Sequence, residues 1–383
     1  MHRTVDRRAF LAAVAAASGG CLDGATPERS GATSARSTGA SENGDGASED
    51  ADATYRNPVF EKVFADPTVV EADDAFYAYA TYHPWGGARE SSRLIPIARS
   101  TDLVNWSDAG AALASMPDWR DADGLGLWAP DVARFDGRYV LYYSYARFGD
   151  PNPGIGVAVS PSPRGPFEDR GELLRSDGIG VPNSIDPCLV REGGTSFLFW
   201  GSKRGIYGVR LARDGLSVAD DSDPFRIAGD GVEAPFLVKR DGRYYFFGSR
   251  GTCCAGAEST YHVVVGRSES LRGPYRNRKG TPLTEASGTT VLRGDDAFAG
   301  PGHNAVVRDH AGDDWLLYHA YERSNPWTGN GDVPRRVPML DRLDWRDGWP
   351  RVRSGTPSRT VPVPRAGGNS SGASRFRSET PRE

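Results

Sequence analysis

Read for polar and apolar positions, the chain repeats one short theme five times. A polar residue, usually beside a proline, opens two or three β-forming residues. A charged or glycine-containing turn follows, and then an aromatic-rich run. The five copies are Asp66-Pro67-Thr68-Val69-Val70 before Phe76-Tyr77-Ala78-Tyr79, Pro130-Asp131-Val132 before Tyr139-Val140-Leu141-Tyr142-Tyr143, and Asp186-Pro187-Cys188-Leu189-Val190 before Phe197-Leu198-Phe199-Trp200; then Glu233-Ala234-Pro235-Phe236-Leu237-Val238 before Tyr244-Tyr245-Phe246-Phe247, and His303-Asn304-Ala305-Val306-Val307 before Trp315-Leu316-Leu317-Tyr318. The connections, among them Asp136-Gly137 and Asp241-Gly242, carry hairpin chemistry. A third β-rich stretch follows each pair, at 97–100, 157–160, 209–211, 265–268 and 339–341, with room for a fourth.

Units of short antiparallel strands at a period of about 62 residues across 55–363 predict an all-β fold, a five-bladed β-propeller. A solenoid or two β-sandwiches are the other ways to stack such units. In a propeller the innermost strand of each blade lines the axis, and the first segment of each repeat is the candidate for it. Equivalent repeats would then bring Asp66, Asp131, Asp186, Glu233 and His303 to one end of one channel. Like charges crowded around a small opening raise one another's pKa, which marks them as candidates for chemistry. Two opposed carboxylates across a pocket can cleave a glycosidic bond, one deprotonating water and the other protonating the leaving oxygen. A third carboxylate near the acid would help keep it protonated. Trp85, Trp119, Trp128 and Trp327 offer flat faces for sugar rings, about half of them expected at a ligand and the rest in blade packing. A non-catalytic carbohydrate- or protein-binding propeller is the alternative in a different class.

The full chain of 383 residues refines this picture at its ends. Arg7-Arg8-Ala9-Phe10-Leu11 followed by an apolar run and Ser18-Gly19-Gly20-Cys21 reads as a twin-arginine export signal over 1–21. Cys21 resembles a lipoprotein acceptor, with ordinary cleavage beside an incidental cysteine as the other reading. Residues 22–54 are an acidic Gly/Ser/Ala linker expected to be disordered, 55–363 the propeller, and 364–383 a disordered tail. The expected location is extracellular or at the cell surface. With Lys+Arg at 46 against Asp+Glu at 50, no basic excess points to nucleic acid, and a membrane would be reached only through Cys21. Cys188, Cys253 and Cys254 read as buried thiols, a bridge between the adjacent pair being the less expected alternative.

Asp66-Pro67-Thr68-Val69, Trp128-Ala129-Pro130-Asp131-Val132, Asn183-Ser184-Ile185-Asp186-Pro187, Val232-Glu233-Ala234-Pro235 and Gly300-Pro301-Gly302-His303-Asn304 occur in the order found in glycoside hydrolase family 43. Arg99-Ser100-Thr101-Asp102, Cys253-Cys254 and Tyr318-His319-Ala320-Tyr321 make the chain resemble that family's endo-acting α-1,5-L-arabinanases most. The resemblance implies an inverting hydrolase of arabinose-containing polysaccharide. Asp66 would be the general base, Glu233 the general acid, and Asp186 the residue that tunes and orients the acid. His303 would stand on the axis near a largely water-coordinated calcium ion, while Trp128, Asn183 and Ser202 would line the substrate pocket. The sequence departs from the resemblance at Ala255, where arginine is expected, and at Ser184, where alanine is frequent. A β-xylosidase or α-L-arabinofuranosidase of the same family is the nearer alternative. The loops 82–93 and 324–335 would decide between endo and exo action.

Overall fold

The structure, a computed structural model, describes residues 53–83, 93–328 and 333–365. It contains five four-stranded antiparallel sheets, four of them built from strands consecutive in the chain and the fifth interrupted by an inserted hairpin. Blade one comprises Thr68–Ala72, Ala75–Tyr79, Pro96–Ser100 and Ser107–Ala111. Blade two comprises Gly126–Phe135, Arg138–Ala146, Gly154–Ser160 and Glu168–Arg175; blade three, Cys188–Glu192, Thr195–Trp200, Ile206–Arg210 and Phe225–Ala228. Blade four comprises Val232–Arg240, Arg243–Arg250, His262–Ser268 and Thr289–Arg293. Blade five uses Phe298–Arg308, Asp314–Glu322, Val337–Arg346 and Trp349–Val352, with a small hairpin, Trp327–Thr328 and Val333–Pro334, inserted before its third strand. The first strand of each blade packs on the first strand of the next, and that of blade five returns to blade one. This is the five-bladed propeller that the repeats predict.

Burial follows distance from the axis. Second strands such as Ala75–Tyr79 are buried along their whole length, because a blade packs on each of their faces. An apolar run with little alternation is what such a position requires. Outer strands such as Ser107–Ala111 meet water and are polar. Between blades lie Phe76, Phe246, Phe247, Tyr318 and Leu340, and on the other side of the ring Leu141, Tyr143, Leu198 and Trp200, all essentially inaccessible. Each such side chain contributes roughly 1.5–3 kcal/mol of burial. The Asp136-Gly137 and Asp241-Gly242 turns have positive φ at both residues, the geometry of tight hairpins.

The ring is closed by the two ends of the described chain. Thr54–Arg56 pairs antiparallel with Thr360–Pro362, Tyr55 facing Val361. Asn57 fastens this ribbon to blade five through Leu340 N–H, the Leu340 carbonyl and the Ser358 carbonyl, all at 2.9 Å. The export signal, the linker as far as residue 52 and the tail from 366 fall outside the described residues.

Candidate active site

Near the start of each inner strand stands one residue in the left-handed region: Asp66 at φ 56°, Ala129 at 41°, Asp186 at 61°, Ala234 at 57° and His303 at 49°. Each is followed by proline except His303, which Asn304 follows. None is glycine, so each costs of order 1–3 kcal/mol, a strain that collects at functional sites. These five positions are the true equivalents of one another, and they correct the register read from sequence. Asp66, Asp186 and His303 occupy them. Glu233 precedes its equivalent by one residue, the position that Trp128 fills in blade two and Gly302 in blade five, where a Cβ would strike the Tyr261 ring.

Asp131 follows its equivalent by two residues and does not reach the opening. Its Oδ1 accepts from Thr68 Oγ1 at 3.0 Å and its Oδ2 from Leu189 N–H at 2.6 Å, which straps the inner strands of blades one, two and three together. The leading acid of the second repeat is therefore structural.

The kinked residues leave backbone N–H groups that the sheets do not use. In four of five junctions a residue on the second strand of the preceding blade, or just past its end in blade one, supplies the acceptor. Thr81 Oγ1 takes Ala129 N–H at 2.9 Å, Ser144 Oγ takes Asp186 N–H at 2.9 Å, Ser249 Oγ takes His303 N–H at 2.8 Å, and His319 Nδ1 takes Asp66 N–H at 3.0 Å. The junction between blades three and four breaks the rule. Its equivalent position is Gly201, at φ 133°, where a Cβ would run into the Gly205 carbonyl. There the Ala234 N–H is taken at 3.2 Å by the Asp186 carboxylate. The neighbouring Ser202 hydroxyl is thereby free to donate to Glu233 Oε2, at 2.8 Å.

Around this frame the carboxylates differ in company. Asp66 accepts from Thr81 Oγ1 at 2.5 Å and from Arg336 at 2.8 Å, with His303 Nδ1 at 3.3 Å. Burial alone would raise its pKa, but the Arg336 guanidinium and then His303, by charge and hydrogen bond, hold it well below the usual carboxylate range. His319 Nδ1 also lies 3.4 Å from Asp66 Oδ1. That approach is no ion pair, because burial keeps the ring neutral and Nδ1 is already an acceptor. His303 differs: burial opposes its charge, but the charge and hydrogen bond of Asp66, with Asp186 and Glu233, raise it above the ordinary value. Asp186 is pushed up to about 7, chiefly by burial; His303 opposes the rise, and the Glu233 and Asp66 charges add to it. Glu233 has Ser202, the Tyr261 hydroxyl and, 3.3 Å away, the Lys203 ammonium, which also donates to the Gly251 carbonyl at 2.7 Å.

The hub thus gathers Asp66, Asp186, Glu233 and His303, as expected. Of the expected substrate-pocket residues, Ser202 touches Glu233, and Asn183 Nδ2 holds Ser202 by its carbonyl at 2.7 Å. Trp128 is half-buried against Phe148, with ring centres 5.3 Å apart. Trp119 serves packing, donating to the Tyr143 hydroxyl at 3.0 Å, while Trp327 is partly exposed over Gly256. Trp85 lies outside the described residues. Cys253 and Cys254 are joined, not free thiols as expected, and Cys188 is the buried free cysteine. Ser184 has a use that alanine could not supply, accepting from Trp200 Nε1 at 3.0 Å. Lys203, Arg336, Tyr261 and His319 were not singled out as site residues by sequence reasoning. One signal for Lys203 was in plain view, since the chain has 4 lysines against 42 arginines.

For calcium the donors are few. Among the described residues no group of three or more His, Cys, Asp or Glu is arranged to hold a metal. His303 offers one imidazole whose Nδ1 already faces Asp66, and next to it the buried Asn304 amide has neither of its polar atoms hydrogen-bonded. This is no cage of protein oxygens of the kind calcium prefers. The residues fit only an ion held mainly by water.

The sequence model of the Glycosyl hydrolases family 43 matches residues 55–350, the five blades with their catalytic rim. The chain belongs to that family. Family members similar to it include the extracellular endo-α-(1→5)-L-arabinanase 1 of Bacillus subtilis (strain 168), 32% identical over 74% of this chain and 86% of that protein. An extracellular exo-α-(1→5)-L-arabinofuranosidase of Cellvibrio japonicus is 31% identical over 75% and 85%. Among solved structures, the α-L-arabinanase of Cellvibrio cellulosa superposes with a TM-score of 0.66 at 31% identity, covering 76% of this chain and 95% of that one. Family 43 membership makes the chain a glycosidase, with the axial carboxylates as candidates for its reacting groups.

Proposed function

We propose that the protein hydrolyses α-1,5-linked L-arabinan by inversion, with Asp66 as general base and Glu233 as general acid. The observation that carries this reading is the unequal company of the two carboxylates on one hub. Asp66, ionised by Arg336 and His303, accepts a proton from water as the water oxygen attacks the anomeric carbon. The bond to the leaving oxygen breaks, and Glu233 delivers its proton there. The carboxylate left on Glu233 meets donors already in place: Ser202, Tyr261 and Lys203. Donors fixed before the charge develops lower the barrier without reorganisation. Asp186 bonds the Ala234 N–H beside Glu233 and so sets the acid's backbone.

Arabinan as substrate is supported by the names of the relatives, and a solved structure of the Cellvibrio cellulosa enzyme is described as complexed with arabinohexaose. Two relatives are named as extracellular, which supports an exported enzyme; the twin-arginine route and the lipid on Cys21 belong to the same proposal.

The test is to incubate the protein with linear arabinan, debranched arabinan, xylan and aryl-glycosides, and to size the products. Arabino-oligomers or arabinose from arabinan, with the anomer inverted by NMR, are expected. Release of xylose from xylan with arabinan untouched would move the assignment to a xylosidase. No hydrolysis of any substrate would leave a binding propeller.

A further inference from the structure

A second feature lies far from the axis. A cavity of about 460 Å³ opens where blades four and five meet, lined among others by Arg243, Arg267, Arg276, Arg278, Glu269 and Trp349. Strand register places it on the opposite face from the catalytic rim. Glu233 pairs with Ser249 at one end of blade four, whereas Arg240 pairs with Arg243 at the hairpin tip and Tyr244 with Ser268 beside it. Seven residues of extended chain separate Glu233 from Arg240, about 23 Å at ~3.3 Å per residue.

The cavity is strongly cationic in a chain whose net charge is −4. Its four guanidiniums face two nearby carboxylates. Glu269 lines the cavity and is exposed, and Asp347 stands 3.6 Å from Arg278. Asp241, on the adjoining turn, pairs with Arg240 instead. Arg243 forms no ion pair among the described residues, and its side chain is exposed. Two of the others are held in place by neutral groups. Arg267 stacks 4.6 Å above the buried Trp349 ring and donates to the Gly348 carbonyl at 3.1 Å; Arg276 donates to the Gly280 carbonyl at 2.9 Å. A carbonyl takes up one N–H and none of the charge, so each of these two guanidiniums retains donors for an anion. A cleft lined by one sign of charge concentrates counter-ions, and planar guanidinium forks match carboxylates two bonds at a time.

We infer that this cavity is a docking site for an acidic carbohydrate chain, whose uronate carboxylates would be held by Arg243, Arg267, Arg276 and Arg278. Several guanidiniums in one cleft call for repeated charge rather than a single small ion. The carbohydrate class rests on the reading above, that the enzyme hydrolyses the polysaccharide arabinan. Neutral arabinan at the axis offers such a surface no charge to pair with, whereas a chain of uronates does.

The experiment is affinity electrophoresis of the full chain in gels containing polygalacturonate, neutral linear arabinan or double-stranded DNA, in parallel with an assay of arabinan hydrolysis. Retardation by polygalacturonate is expected, and it weakens as salt is raised. The double variant R243A/R278A should lose it, each guanidinium accounting for roughly tenfold in affinity. Its hydrolysis of linear arabino-oligosaccharides should be unchanged. R134A/R213A, which removes the same charge from exposed positions elsewhere, should remain retarded. No retardation of the wild type by polygalacturonate, or equal loss in both double variants, overturns the inference. So does DNA retardation that is as strong and as sensitive to R243A/R278A. Loss of arabinan hydrolysis in the wild type would instead strike the reading of the active site, so the two failures are distinct.

Discussion

Four blade junctions and the fifth solve one backbone problem in two ways. At the regular junctions a Thr, Ser or His on or just past the second strand accepts the N–H of the next blade's kinked residue; the bond closes the ring, and at two of these junctions Thr81 and His319 also lie against the Asp66 carboxylate. Between blades three and four that acceptor is gone, because Gly201 has no side chain. The Asp186 carboxylate replaces it, and the freed Ser202 and Lys203 turn to Glu233. The donors around Glu233 are a departure from an internal symmetry, and the departure is local: one glycine and the two residues after it.

The contrast can be broken most severely at the carboxylates. Glu233→Gln and Asp66→Ala should each lower kcat by about a hundred- to ten-thousand-fold with a melting temperature near that of the wild type; full activity in either would remove that residue from its role. Next in size, Ser249→Ala should cost about 1–3 kcal/mol of stability by leaving the His303 N–H unpaired in a buried place, read by denaturant unfolding. Ser202→Ala should do the reverse, lowering kcat roughly tenfold with little change in unfolding, since it removes a donor to a charged group at the reacting end. If both variants lost stability alone, the two kinds of junction would not differ in purpose.

A smaller effect concerns pH. Arg336 helps to keep Asp66 ionised, so Arg336→Gln lets Asp66 take a proton more readily. The acid limb of the kcat/KM profile should move to higher pH, measured on linear arabinan. A limb that stays in place or moves down would mean that Asp66 does not govern it. Smallest of all should be the effect of calcium. We propose a water-held ion beside His303, so chelation should lower the melting temperature or the rate modestly, and no change in either would remove the ion.

The architecture was legible because five aromatic runs with hairpin turns leave few ways to bury themselves. The hub was legible in outline, but its register was not. Asp131 and Glu233 look equivalent to Asp66 in sequence, since Asp131 adjoins a proline and Glu233 stands two residues before one. Only the backbone shows that the shared position is the left-handed residue, which places Asp131 two residues past the kink and Glu233 one residue before it. Thr81, Ser144, Ser249 and His319 were hidden for another reason. Their acceptors and donors lie on different blades, 42 to 253 residues apart, and no local pattern announces them. Arg336 is remote in the same way, reaching Asp66 across 270 residues. The bridge between Cys253 and Cys254 was misjudged because adjacency argues strain, whereas the loop that holds the pair gives it a turn of its own, with Tyr321 donating to the Cys253 carbonyl at 3.0 Å.

The pairing of Tyr55 with Val361 has a practical meaning for protein engineering. Every blade is made of one continuous stretch of chain, and both ends of the described chain meet in one ribbon. A circular permutant that joins these ends and reopens the backbone at the exposed Asp136-Gly137 turn would interrupt no ladder beyond that hairpin and would leave every catalytic side chain on its original strand.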